Sequence, residues 1–128
     1  MASEMSFSCA LQWEDAFGVT FGLDVLNFVK TITTKRPILM TQSIGTAEEA
    51  IDLGDITPKY GFFKNRDATN FVSIRAGTGL GNFGRLDADE NGDGKTFPLI
   101  VRFGSGMTAP FAIADTAACE IVYVLIPA

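Results

Sequence analysis

CEIVYVLI, residues Cys119 to Ile126, is the stretch that decides the fold. Ile121, Tyr123 and Leu125 are apolar, and so are Val122, Val124 and Ile126 between them. Side chains of a strand point alternately to its two faces. A strand apolar on both faces belongs in the middle of a sheet or in a subunit interface. The rest of the chain repeats the strand signal at shorter range. Met5, Phe7, Cys9, Leu11 and Trp13 alternate with Ser6, Ser8, Ala10 and Gln12, which predicts a half-buried strand. Val19, Phe21, Leu23 and Val25 continue a second run. Ile38, Met40, Gln42 and Ile44 follow Pro37, which suits a strand start or an edge. Phe71 to Ala76 and Phe97 to Phe103 are further β-branched and aromatic runs.

Turn residues separate these runs at short spacing: Glu14-Asp15, Gly45, Gly54-Asp55, Asp67 to Asn70, Gly77 to Gly84, Gly92 to Gly94, and Gly104 to Gly106. Many short strands with glycine-rich turns predict an all-β fold, an antiparallel β-sandwich of about eight strands. A jelly roll is the favoured version, because long connections alternate with tight ones. At most one short helix is expected, over Thr46 to Leu53, where Thr46 and Glu49 have capping-box spacing and Glu48-Glu49 suit a helix start. A loop followed by a strand fits the same residues. The 128 residues suffice for one core and not two, so a single β-sandwich domain over 1–128 is expected.

Composition narrows the function. The formal net charge of −5 argues against nucleic acid, whose phosphates demand a basic face. No run approaches the roughly 20 apolar residues of a membrane helix, and no membrane partner is expected. No basic stretch followed by an apolar run opens the sequence, so no signal peptide is expected. The chain has no histidine, which removes imidazole metal sites and histidine-dependent nucleophiles. No catalytic residue, cofactor or metal ligand is nominated, and the chain is read as a non-enzyme. Cys9 and Cys119 lie in alternating apolar segments, where a free thiol acts as a small hydrophobe; buried thiols are expected rather than a disulfide.

Two motifs invite a ligand. DADENGDGKT, Asp87 to Thr96, sets oxygen-bearing side chains at Asp87, Asp89, Asn91 and Asp93, with Gly92 sixth. An EF-hand needs a glutamate in twelfth place and helices on both sides. Here the twelfth residue is Pro98, the ninth is Lys95, and the flanks read as strands. Two unit charges about 6 Å apart in water repel by only about 0.7 kcal/mol, so the loop needs no cation. A solvated hairpin tip is the expectation, with a weak calcium site as the alternative. Gly79 to Gly84 matches G-x-G-x-x-G, but no helix follows to receive a phosphate, and a flexible loop is expected. Lys35 and Arg36 are read as a solvated strand end or a partner for an acidic surface.

Eleven phenylalanines are more aromatic surface than a small core easily encloses, which points to association. The expected interface residues are Met5, Phe7, Leu11 and Trp13, on a strand able to pair with a sheet edge, and Phe17.

Three stretches carry a resemblance: Gly45 to Ile56 (GTAEEAIDLGDI), Tyr60 to Ile74 (YGFFKNRDATNFVSI) and Ala109 to Leu125 (APFAIADTAACEIVYVL). Together they resemble small virion proteins of tailed bacteriophages, from about Thr41 to the C-terminus. Asn65 to Ile74 is the most specific part, and Asn65, Asp67 and Asn70 are turn formers able to bond neighbouring backbone. Gly77 to Thr96 departs from the pattern as an insertion, so the resemblance says nothing of that loop. In size and β-rich fold such proteins are similar to capsid cement, or decoration, proteins. The resemblance implies a homo-oligomer on the outer surface of the capsid, bound to the major capsid protein and stabilising the shell by bridging capsomers. Another virion component (head fibre, neck or tail) is the alternative. So is a carbohydrate- or receptor-binding sandwich using Trp13 and Tyr60.

Overall fold

The computed structural model describes residues 3–14, 20–32, 37–104 and 107–127, the first two segments as backbone alone. Phe17, Val19, Lys35 and Arg36 lie outside the described residues, as do the side chains of Met5, Phe7, Cys9, Leu11 and Trp13. The chain divides into two compact units, Met1–Thr34 and Lys35–Ala128. The sandwich falls entirely in the second unit.

The first unit holds β1 (Ser3–Glu14) and β2 (Thr20–Ile32), an antiparallel ribbon. Its register pairs Met5 with Lys30, Phe7 with Phe28, Cys9 with Leu26, Leu11 with Leu23, and Trp13 with Phe21. These ten positions share one face of the ribbon. Glu4, Ser6, Ser8, Gln12 and Glu14 fall on the other. On β2 the apolar positions change parity between Leu23 and Leu26. A bulge absorbs the change: Cys9 pairs with Leu26 and Ala10 with Asp24, which leaves Val25 as the extra residue. Val25 is thus unpaired in the register, which simple alternation had not implied.

The second unit is built from eight strands: β3 (Ile38–Ile44), β4 (Glu49–Ala50), β5 (Pro58–Asn65), β6 (Val72–Arg75), β7 (Asn82–Leu86), β8 (Leu99–Arg102), β9 (Phe111–Ala114) and β10 (Cys119–Pro127). They form two four-stranded antiparallel sheets, ordered β3-β10-β5-β8 and β4-β9-β6-β7. The pairings are nested: β3 with β10, β4 with β9, β5 with β8, and β6 with β7. Two further pairings, β10 with β5 and β6 with β9, join these ribbons into sheets. One hydrophobic cluster draws on both sheets. Ile44, Phe63, Val101, Ile121, Tyr123 and Leu125 come from the first, and Val72, Ile74, Leu86, Ala112 and Ala114 from the second. The arrangement is an all-β sandwich.

β10 occupies the interior of its sheet, as its two apolar faces require. Ile121, Tyr123 and Leu125 are buried, while Val122 and Val124 are half-buried on the outer face. Pro37 precedes β3, an edge strand, where the missing N–H costs nothing. The short helix allowed for Thr46 to Leu53 is absent, and the loop-plus-strand alternative holds. Glu49 does reach back, its Oε2 accepting from Gly45 N at 3.1 Å. But Glu49 and Ala50 pair with β9, and Ile51 N donates to Pro110 O at 3.0 Å, so sheet bonds take the backbone groups a helix would use.

Candidate functional site

The acidic stretch is not a hairpin tip. β7 is the edge of one sheet and β8 the edge of the other, so the connection from Asp87 to Pro98 crosses between sheets at one side of the sandwich. Nor is it wholly solvated, because Asp89 is only 7% exposed. Its N–H donates to Asp67 O at 2.7 Å, its carbonyl accepts from Gly92 N at 2.8 Å, and its Oδ2 accepts from Gly94 N at 2.9 Å. Gly92 and Gly94 both have left-handed φ, 63° and 72°, which is why glycine stands at each. Asp93 Oδ1 accepts from Lys95 N at 3.0 Å, and Thr96 Oγ1 donates to Ala88 O at 3.1 Å. Asp87 receives Arg85 Nε at 2.7 Å. These carboxylates are committed to shaping the loop. Among the described residues no group of three or more metal-ligating side chains is found.

The loop walls a pocket of about 480 Å³ whose lining includes Phe71, Arg85, Asp87, Asp89, Glu90 and Lys95. The Arg85 guanidinium stacks 4.8 Å above the centroid of Phe71. Such a floor offers a flat cation–aromatic platform with acceptors at its rim. The glycine tract on the other side of β7 forms the β6–β7 turn. There Glu48 ties the strands together, its Oε1 accepting from Gly79 N at 2.8 Å and its Oε2 pairing with Arg75. Glu48 thus anchors a hairpin rather than starting a helix.

The turn from Asn65 to Asn70 supports the acidic loop from below. Asn65 is 1% exposed; its Nδ2 donates to Asn70 O at 2.7 Å and Leu86 O at 3.4 Å, and its Oδ1 accepts from Asp67 N at 2.9 Å. Asp67 Oδ1 accepts from Thr69 N at 2.8 Å and Asn70 N at 2.6 Å. The Asn70 side chain receives the Thr116 hydroxyl. The sequence expectation that these residues bond neighbouring backbone is met by Asn65 and Asp67, whereas the Asn70 side chain bonds the side chains of Asp67 and Thr116.

The same bonds set the acid response. The backbone N–H groups of Asn70 and then Thr69 hold the Asp67 carboxyl below its ordinary value. Gly79 N–H, then Arg75, do the same for Glu48. A depressed carboxylate contributes stability above its unfolded pKa and loses it as pH falls through the folded value. Melting temperature is therefore expected to hold down to about pH 5 and fall below about pH 4. In Asp67→Asn/Glu48→Gln the fall should be shallower when melts are repeated across that range. Burial, with Asp67 and Asp115, pushes the Cys119 thiol up to about 11, and Cys119 is 1% exposed, a buried thiol as expected. Burial, then Asp52, pushes Tyr123 up to about 12, and its hydroxyl donates to Asp52 O at 2.6 Å.

Among the described residues five large apolar ones stand exposed: Leu39, Leu80, Phe83, Phe97 and Ile100. Four of them lie on β7, β8 or their flanks, and Phe97 is 82% exposed. The two edges are adjacent, since a Cβ at Gly84 on β7 would come within 3.0 Å of the Leu99 side chain on β8. Sequence reasoning missed this side. The available signal was Leu80, Phe83 and Phe97 standing close to glycines and charged residues rather than in an apolar run. The nominated Met5, Phe7, Leu11 and Trp13 share the ribbon face described above, and Phe17 lies outside the described residues. Tyr60 lies on β5, opposite Arg102 and Ile126 in register. No family model matches the chain, and neither a curated protein nor a solved structure is significantly similar to it.

Proposed function

We propose that this chain is a virion structural protein of a tailed bacteriophage, a capsid cement protein that binds the outer face of the major capsid shell. It acts as a homo-oligomer and stabilises the shell by bridging capsomers. The observation that carries the reading is the line of exposed Leu80, Phe83, Phe97 and Ile100 along the β7/β8 side. Exposed aromatic anchors on adjacent sheet edges suit docking to another protein. Repetition over a shell turns modest contacts into large avidity. We read the sandwich as a jelly roll; the nested pairing of its eight strands supports this, because a long antiparallel ribbon folded over into two sheets gives that order. The absence of histidine supports a reading with no catalytic role, cofactor or metal.

The test is a heat-release assay on capsids with and without the protein. Shells lacking it should release DNA at lower temperature. Phe97→Ser/Ile100→Ser should bind shells at least tenfold more weakly, as for loss of interface anchors. Unchanged capsid stability together with no binding to shells would sink the proposal. Binding at a neck, fibre or tail, seen by labelling intact particles, would replace it with another virion role. The Phe71–Arg85 floor beside the acidic rim favours one second reading, a carbohydrate- or receptor-binding sandwich, which glycan-array binding would support.

A further inference from the structure

Asn91 and Gly92 are neighbours in the acidic loop, and both are exposed. The pair stands apart from the other asparagines of the sandwich. Asn65 is buried, its amide donates to Asn70 O and Leu86 O, and Arg66 follows it. Asn70 is half-buried, its Oδ1 accepts from the Thr116 hydroxyl, and Phe71 follows it. Asn82 Oδ1 accepts from Arg75 Nε at 3.1 Å, and Phe83 follows it. The Asn91 side chain has no hydrogen-bond partner among the described residues, and the residue after it is glycine. A side-chain amide can be attacked by the backbone nitrogen of the next residue, because the two are held together in one chain. A side chain on that next residue crowds the approach, and glycine has none. The space beside Gly92 is open as well, since a Cβ there would meet nothing within 4 Å. One hydrogen bond holds the Gly92 N–H, to Asp89 O at 2.8 Å. A bond in an exposed loop opens readily.

We propose that Asn91 is a modification site, at which the folded protein deamidates and isomerises as it ages through attack by the Gly92 backbone nitrogen. The Gly92 nitrogen gives its proton to water and bonds to Asn91 Cγ. The Cγ–Nδ2 bond breaks, and Nδ2 takes a proton from water and leaves as ammonia. Water then opens the resulting five-membered succinimide. Cleavage of the new N–Cγ bond leaves aspartate at position 91. Cleavage of the original bond, from the Gly92 nitrogen to the Asn91 backbone carbonyl carbon, leaves isoaspartate, in which the main chain runs through Cγ. Nothing is oxidised or reduced, and water is the sole co-reactant. Asp93-Gly94 has the same arrangement but lags. A carboxylate is a poorer electrophile than an amide, Asp93 Oδ1 already accepts from Lys95 N, and the Gly94 N–H is held by Asp89 Oδ2. The two products act differently on the loop. Aspartate adds one carboxylate to a pocket lining that already includes Asp87, Glu90 and Asp93. Isoaspartate also inserts a methylene into the main chain of the turn closed by Gly92 N and Asp89 O, which pulls Gly94 N away from Asp89 Oδ2. The proposal is independent of the capsid reading.

The experiment ages the full chain in neutral and in mildly alkaline buffer, folded and unfolded in guanidinium, and maps the products by peptide mass spectrometry. The folded protein is expected to convert at Asn91 at least about tenfold faster than at Asn65, Asn70 or Asn82, and within about tenfold of the unfolded chain. The rate should rise with pH, because the nitrogen attacks after losing its proton. Asn91→Gln should abolish the product, since its carbonyl carbon lies one methylene too far to close a five-membered ring. It should leave the melting temperature unchanged, because the side chain it replaces is exposed and bonds no described residue. In the isoaspartate fraction the Gly92 and Gly94 amides should exchange faster, while recombinant Asn91→Asp keeps wild-type exchange. Conversion of Asn91 in the unfolded chain but not in the folded one overturns the proposal, because the loop would then block the attack. So does an Asn91 that survives in both states, or a mass gain that maps to another asparagine or persists in Asn91→Gln.

Discussion

Asn65→Ala is expected to lower the melting temperature by roughly 15 °C. Asn65 is 1% exposed, and its one amide serves backbone groups from three places: Asn70 O, Leu86 O and Asp67 N. A buried backbone group left without a partner costs about 1–3 kcal/mol. Water can reach some of the three, so a total near 3 kcal/mol is expected, and each kcal/mol moves a small domain by about 4–8 °C. Asn65→Asp separates the donor from the acceptor role. It keeps an oxygen for Asp67 N–H but turns the other oxygen toward two carbonyls, so it should be at least as damaging at neutral pH. Melts of both variants check this, and a drop under about 5 °C in Asn65→Ala would mean the network is not what holds the turn. The damage should spread. Asp67 O receives Asp89 N–H at 2.7 Å, so the acidic loop rests on this turn and should exchange its amide hydrogens faster in the variant.

What could be read ahead of the structure was local. The Asn65–Asn70 turn was legible because asparagine and aspartate bond backbone two or three residues away. β10 was legible because both its parities are apolar. The ribbon register was not. Phe21, Leu23 and Val25 alternate perfectly, and only pairing with Cys9 and Ala10 reveals that Val25 is the bulge and that Leu26 and Phe28 take up the face. Strand alternation names two faces but not which neighbour shifts the count. The Thr46–Leu53 segment failed for a related reason: its capping spacing is real, but a long-range bond from Ile51 N to Pro110 O decides its conformation. The acidic loop misled because composition says nothing about direction. Asp89 looks like its exposed neighbours in sequence and is buried in the fold. Its place depends on β7 and β8 being edges of different sheets, a fact that no local pattern contains.

Phe63→Ala is expected to cost about 4 kcal/mol, the middle of the range for a buried phenylalanine. The ring is 1% exposed and stacks on Tyr123 with centroids 5.3 Å apart and planes 26° from parallel. Tyr123 in turn holds the segment after β4 through Asp52 O, so the cavity opens beside a residue that fastens one edge of the sandwich. Gly61 makes the site unusual. It lies two residues before Phe63 on the same face of β5, and a Cβ there would stand 2.6 Å from the Phe63 ring and 2.9 Å from Phe103. Gly61→Ala alone should therefore overpack the site and cost about 1–3 kcal/mol. Phe63→Leu alone should underpack it, by less than Phe63→Ala. The two faults share one volume, so the double variant Gly61→Ala/Phe63→Leu should be more stable than the sum of the singles by about 1 kcal/mol. Denaturant titrations of the four proteins measure that coupling. Strict additivity would show that the Phe63 ring does not press on the Gly61 backbone, and the expected cost of Phe63→Ala would then fall to its lost burial alone, with no edge of the sandwich loosened.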